Sequence, residues 1–177
     1  MPRYAAFLRG INVAGRTATS DQLRGAFEEL GFEDVSTFRA SGNVIFDARG
    51  KVEGARVEAA LEKMLGYEVA TFVRNKREVA AIAAHEPFDS RALKASKGKL
   101  HVVLASRKPT AAAQKRMLAL ESDDDLFAFK GRELYWLPSG GLSESAVGMK
   151  GITDALGPNT MRTKGTIELI AAKYFGA

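Results

Sequence analysis

The chain contains no cysteine. Disulfides, thiol nucleophiles and cysteine-ligated metals are thereby excluded, and nothing requires an oxidising compartment, which fits the cytosol. Histidine is nearly as scarce, with only His85 and His101. Neither belongs to a His-x-x-x-His or Glu-flanked pattern, so no metal site is expected. His101 lies in an apolar run and reads as a core or sheet-face residue. His85 ends a helical stretch, where a cation is favourable. Walker, Rossmann and Gly-x-Ser-x-Gly signatures are missing. Asp47, Asp89 and the run Asp123-Asp124-Asp125 have no spacing that demands paired-carboxylate catalysis, and the run reads as a solvated turn. No cofactor is expected. No apolar run approaches the roughly 18 residues of a membrane span. The opening Met1-Pro2-Arg3-Tyr4 has no long apolar stretch, so no secretory signal is expected.

What is present is a chain of 177 residues that is 46% hydrophobic, enough for a sizeable core in one domain or two small ones. The formal net charge is +5, from 26 basic and 21 acidic residues. That balance favours anionic partners. The charges are interspersed, without a basic block of the kind that forms a nucleic-acid tail.

The apolar pattern predicts a strand over Tyr4–Leu8. A helix follows, opened by Thr19-Ser20-Asp21-Gln22 as a capping box and continued by Leu23, Phe27 and Leu30, with Gly31 at its end. Strands are expected at Asp34–Arg39, Asn43–Asp47 and Tyr67–Arg74, with a helix through Val57, Leu61 and Leu65. The order β-α-β-β-α-β is ferredoxin-like. A helix over Lys76–His85 turns Val79, Ile82 and Ala83 inward. Residues 86–98 have little helical periodicity and read as a linker. A second series is expected beyond it: a strand at Leu100–Ala105, a helix from Pro109 to about Leu120, and a hairpin of Leu126–Lys130 with Glu133–Leu137 around Gly131-Arg132. A helix over Ser143–Leu156, weakened by Gly148 and Gly151, and a last helix striped by Ile167, Ile170, Ala171 and Tyr174 complete it. The expected class is therefore α+β: a ferredoxin-like unit (1–86), a linker (87–98) and a second, smaller unit (99–177) of partly similar β-α-β-β-α order. The repetition is architectural, without convincing residue-level identity.

Three segments mix glycine with hydrogen-bonding residues. The first comprises two loops carrying Arg9, Asn12, Arg39, Ser41 and Asn43. Arginine's planar fork suits phosphate or carboxylate, whereas Asn12 and Asn43 equally suit turns whose backbone groups they satisfy. In the expected topology these two loops lie at opposite ends of the sheet. The second is Ser139–Ser145, where backbone N–H groups entering a helix would meet an anion, or Ser143 or Ser145 caps the helix. The third is Asn159–Thr166, with Thr160, Arg162, Lys164 and Thr166 at a helix entrance, or with Thr163 as a simple cap. Phe38, Phe46 and Phe72 would stack bases if they lay on an open sheet face, and pack a core if they did not.

Tyr4-Ala5-Ala6-Phe7-Leu8-Arg9-Gly10-Ile11-Asn12-Val13, with Leu23, Gly31-Phe32, Val35 and Ser41-Gly42-Asn43-Val44-Ile45-Phe46, resembles the DUF1697 family of mainly bacterial proteins of unknown function. The resemblance implies two α+β units, the first ferredoxin-like, and brings no reaction, cofactor or catalytic residue. Members often carry Thr-x-Arg-Asn-Trp-Asn-Thr before the last helix; Thr160, Arg162 and Thr166 fit it, while Thr163, Lys164 and Gly165 depart from it. A Gly-rich segment followed by Ser-Lys is also usual, and here Ser143 is followed by Glu144. The functional expectation is a cytosolic protein binding an anionic ligand, phosphorylated or nucleic acid, through Arg9, Asn12, Arg39, Ser41, Asn43, Ser143, Thr160, Arg162 and Thr166. The alternatives are a small-molecule enzyme with a site between the two units, or a non-catalytic partner-binding module.

Overall fold

Short apolar strands alternating with capped amphipathic helices build the chain twice over. The computed structural model describes every residue except Ser41. Two compact units result, Met1–Ala81 together with Ile170–Ala177, and Ile82–Leu169. The first is built from β1 (Arg3–Leu8), α1 (Ser20–Glu29), β2 (Glu33–Thr37), β3 (Asn43–Asp47), α2 (Gly54–Leu65) and β4 (Thr71–Asn75), followed by α3 (Lys76–Ala84). Its four strands lie in the order β2-β3-β1-β4, all antiparallel, which is the ferredoxin-like arrangement.

The expected capping box opens α1: Gln22 N–H donates to Thr19 Oγ1 at 3.1 Å, and Thr19 N–H donates to Gln22 Oε1 at 2.9 Å. That box satisfies two N–H groups that the first turn would otherwise leave unpaired. Leu23, Ala26 and Phe27 of α1 and Val57 and Leu61 of α2 pack on Ala6, Leu8, Val44 and Phe46 of the sheet. The rings of Phe27, Phe32 and Phe46 meet at centroid distances of 4.6 to 6.0 Å. Each such side chain contributes about 1.5–3 kcal/mol by leaving water. The opposite face of the sheet is buried as well, with Ala5, Phe7, Ile45 and Phe72 all at 2% exposure or less.

The second unit repeats the plan in full. After α4 (Ser90–Ala95) come β5 (His101–Ala105), α5 (Ala111–Leu118), β6 (Asp125–Lys130), β7 (Glu133–Pro138), α6 (Gly148–Leu156) and β8 (Asn159–Thr163). The strand order is β6-β7-β5-β8, matching the first unit position for position. Its core joins Val103, Leu134 and Trp136 of the sheet to Met117 of α5 and Ile152 of α6. The chain ends in α7 (Lys164–Ile170) and a π-helical turn, Ala171–Phe175.

The structure departs from expectation in several places. β8 is a full strand in the segment expected only as the entrance to the last helix. Apart from Met161 its residues are polar, yet Asn159 and Thr160 are buried and the strand pairs with β5 along its length. The second unit is therefore β-α-β-β-α-β, one strand more than the expected β-α-β-β-α. The strand expected from Tyr67 begins at Thr71, opposite Leu8, the last residue of β1. The expected linker contains α4, capped by Asp89, whose carboxylate accepts from Ala92 N–H at 2.8 Å. Residues 87–98 group with the second unit and residues 170–177 with the first, whereas the expected division is 1–86, a linker at 87–98, and 99–177. The helix expected over Ser143–Leu156 is broken into a 3-10 turn, Leu142–Glu144, and α6. Between them the Ser145 hydroxyl donates to the Asp125 carboxylate and accepts from Val147 N–H, and Gly148 has a φ of 61°. Pro109 lies outside α5, which Thr110 caps by accepting from Ala113 N–H at 3.1 Å.

Gly42, between β2 and β3, has a φ of 78°, and a Cβ placed on it would lie 2.9 Å from Ile11 Cδ1 and 3.0 Å from Leu8 Cβ. Left-handed strain and overpacking together should make Gly42→Ala cost roughly 2–4 kcal/mol in urea denaturation; a loss below about 0.5 kcal/mol would show that the turn relaxes freely. His101, 8% exposed in β5, supplies a second expectation. Burial pushes its imidazole below the usual range and lowers that of His85 too, where the Lys130 and Lys164 ammonium groups add to the effect. As pH falls below about 6.5 the unfolded chain binds protons first, so the stability these neutral rings contribute is present above that pH and lost as pH falls through their folded-state values. The melting temperature should fall between about pH 7 and pH 5, and His101→Gln should flatten the slope. A wild-type melting temperature constant across that window would contradict the assignment.

Candidate functional site

Because β1 runs antiparallel to both β3 and β4, the start of β1 and the ends of β3 and β4 meet at one end of the first sheet. A concave groove of about 940 Å³ lies there, lined by Arg3, Tyr4, Asp47, Lys76, Arg77 and Tyr174 among others. Its size falls within the range usual for small-ligand sites. Arg3 is held by a fork onto Asp47, Nε to Oδ1 at 2.8 Å and Nη2 to Oδ2 at 3.0 Å, and it also bonds Asp34. Its hydrogen bond to Asp47 raises the guanidinium above its ordinary pKa. Its Nη1 donates to the Tyr174 carbonyl at 3.4 Å. The Tyr4 ring stacks on Phe46 at 5.7 Å, and its hydroxyl donates to the Gly50 carbonyl at 2.7 Å. Tyr174 meets Phe38 edge-on at 6.1 Å, with the Lys173 ammonium 5.0 Å from its centroid.

A second capping box positions the groove's remaining cations. Glu78 N–H donates to Asn75 Oδ1 at 3.0 Å, and Asn75 N–H donates to Glu78 Oε2 at 2.9 Å. This starts α3 immediately after β4 and places Lys76 and Arg77 in its first turn, both exposed. No described carboxylate pairs with either. The groove's carboxylate, Asp47, is engaged by Arg3, so Lys76, Arg77 and the amino end of α3 leave a positive potential. The lining contains no histidine, serine or threonine. The arrangement is suited to holding an anion.

The loops singled out from the sequence gather at the other end of the same sheet. They do not lie at opposite ends, as expected: antiparallel pairing sets the end of β1 beside the start of β3, with Phe7 opposite Asn43. Asn12 ties the two loops together, donating through Nδ2 to the Ala40 carbonyl at 2.8 Å and accepting at Oδ1 from Ala18 N–H at 3.1 Å. Asn43 is buried and donates to the Phe38 carbonyl at 2.9 Å. Both asparagines thus close turns. Arg39, with a φ of 58°, lays its guanidinium 5.3 Å from the centroid of Phe38. Arg9 lines a separate hollow of about 550 Å³ with Gly10, Arg16, Tyr67, Glu62 and Glu68, where two cations face two carboxylates. Ser41 lies outside the described residues.

In the second unit Ser143 is exposed on its 3-10 turn. Thr160 and Arg162 meet directly, Nη1 donating to Thr160 Oγ1 at 2.9 Å and to the Met161 carbonyl at 2.8 Å. Burial pushes the Arg162 guanidinium down to about 10, so it stays protonated at neutral pH. Thr166 pairs with Thr163, which caps α7. Asp125, read as part of a solvated turn, is 1% exposed and accepts from the Trp136 indole at 2.7 Å and from the Ser145 hydroxyl at 2.9 Å. Phe46 and Phe72 are buried and Phe38 half-buried, so these three rings do not form the open stacking surface of the RNA-recognition kind.

Arg3, Lys76, Arg77 and Tyr174 escaped sequence reasoning. The available signal was Asn75-Lys76-Arg77-Glu78, a capping pair enclosing two cations. Register also exposes a residue-level repeat: Arg74 lies opposite Ala5 as Arg162 lies opposite Val102, and each is followed by a capping residue and a lysine. The two lysines differ. Lys164 is buried, donating to the Ala83 carbonyl and to Glu168, whereas Lys76 is exposed.

Among the described residues no helix is long and apolar enough to cross a membrane. The solved structure of conserved bacterial protein SP0830 from Streptococcus pneumoniae aligns with 100% of this chain and 99% of its own, at a TM-score of 0.78 and 18% identity, a likeness of fold. No curated protein matches. The pattern of DUF1697, a protein family of unknown function, matches residues 1–135, and the chain belongs to that family.

Proposed function

We propose that the protein binds a small anionic molecule of the phosphorylated class in the groove between the start of β1 and the amino end of α3. The observation that carries this reading is the pair Lys76 and Arg77, exposed on the groove and without a described carboxylate partner, while Arg3 and Asp47 neutralise one another beside them. Arginine offers parallel donors to a phosphate and lysine a compact charge. The buried sheet faces favour a small ligand over a single-stranded nucleic acid, whose bases need open rings to stack on. The cysteine-free composition suits a reducing compartment, so the cytosol is the proposed place of action.

Isothermal titration with inorganic pyrophosphate at low salt tests this. Lys76→Ala with Arg77→Ala should weaken binding at least about ten-fold, since charged hydrogen bonds contribute about 1.5–3 kcal/mol each. Alanine is a good helix former, so α3 should persist and the melting temperature hold. Arg9→Ala with Arg16→Ala should leave the affinity unchanged. Equal binding by the Lys76/Arg77 variant, or loss of binding in the Arg9/Arg16 variant, would refute the placement.

A further inference from the structure

Resting on that reading, we propose that the ligand carries an aromatic ring as well as its phosphate, so that the groove takes a molecule of the nucleotide class. The argument is one of adjacency. Tyr4 lies directly across the sheet from Asn75, and Asn75 is the residue that caps α3 and immediately precedes Lys76. An aromatic ring is thus set one residue step from the first of the groove's two cations. Arg3 reaches from the same strand to the Tyr174 carbonyl, which brings a second tyrosine onto the groove wall.

Both rings are held in place before any ligand arrives. Tyr4, one of the groove's lining residues, is half-buried against the first core, its ring stacked on Phe46 and its hydroxyl engaged by the Gly50 carbonyl. Tyr174 is fixed by Phe38 at its edge and Lys173 near its face. Preorganised rings lose little entropy on stacking with a planar group. A bare phosphate would need only the cations and leave the tyrosine walls in water. The second unit provides an internal contrast: the position of Tyr4 is taken there by His101, buried in β5, and that of Lys76 by Lys164, buried and bonded to Ala83 and Glu168. The combination of half-exposed ring and exposed lysine therefore occurs in the first unit, and the volume of about 940 Å³ accommodates a nucleoside diphosphate.

The test compares ADP with inorganic pyrophosphate by isothermal titration on the full chain. ADP should bind about ten-fold tighter, the gain typical of stacking one base, and in Tyr174→Ala the two affinities should become equal. Equal wild-type affinities would overturn ring recognition and leave the anion reading standing; this comparison needs no variant, so it holds whether or not Tyr174→Ala folds. An ADP advantage that survives in a folded Tyr174→Ala protein would overturn the assignment of the stacking wall. Failure of both probes to bind would overturn the groove reading itself, and the inference with it.

Discussion

Everything in the first unit depends on β1 being hydrogen-bonded on both edges, to β3 on one side and β4 on the other. Both partners run antiparallel to it, so its two ends become two different neighbourhoods. At its end the turn before β3 and the loop after β1 must share space, and Gly42, Asn12 and Ile11 resolve the crowding. At its start the ends of β3 and β4 converge, and Arg3, Asp47, Lys76 and Arg77 are brought within one groove. The second unit keeps the same constraint around β5, which pairs with β7 and β8.

The fold was readable wherever local chemistry and burial agreed. The Thr19 capping box, the stripe of Leu23 and Phe27, and the continuous apolar run Val44-Ile45-Phe46 of a strand buried on both faces each say one thing at every level. Where polarity and burial part company, the pattern misleads. β8 is written in asparagine, threonine and arginine around a single methionine and so lacks a strand's apolar alternation, yet its backbone completes the sheet. Asp125 sits beside two aspartates that are exposed, and only the indole of Trp136 and the hydroxyl of Ser145, far off in sequence, make its burial tolerable.

The candidate site shows the same division. Glycine and asparagine in the opening segment drew attention as ligand contacts, but their hydrogen bonds go to the protein's own backbone. Turn-forming residues and ligand-binding residues come from one short alphabet, and register decides between them. The groove instead collects single residues from separate elements: Arg3 from β1, Asp47 from β3, Lys76 and Arg77 from α3, and Tyr174 from the last turn of the chain. No local motif spans them. The repeat of Arg74-Asn75-Lys76 in Arg162-Thr163-Lys164 also became visible only once the two sheets had been set in register, and it separates a lysine that serves the fold from one that faces solvent.

The central claim is that the charged end of the first sheet, at the start of β1, is the one that receives an anion. The most direct measurement is an amide chemical-shift titration of the labelled full chain with inorganic pyrophosphate. The account predicts saturable shifts centred on Arg3, Asn75, Lys76, Arg77 and Tyr174, with the amides of Arg9, Gly10 and Arg16 unmoved. Shifts centred instead on Arg9, Gly10 and Arg16, or no saturable shift anywhere, would contradict it.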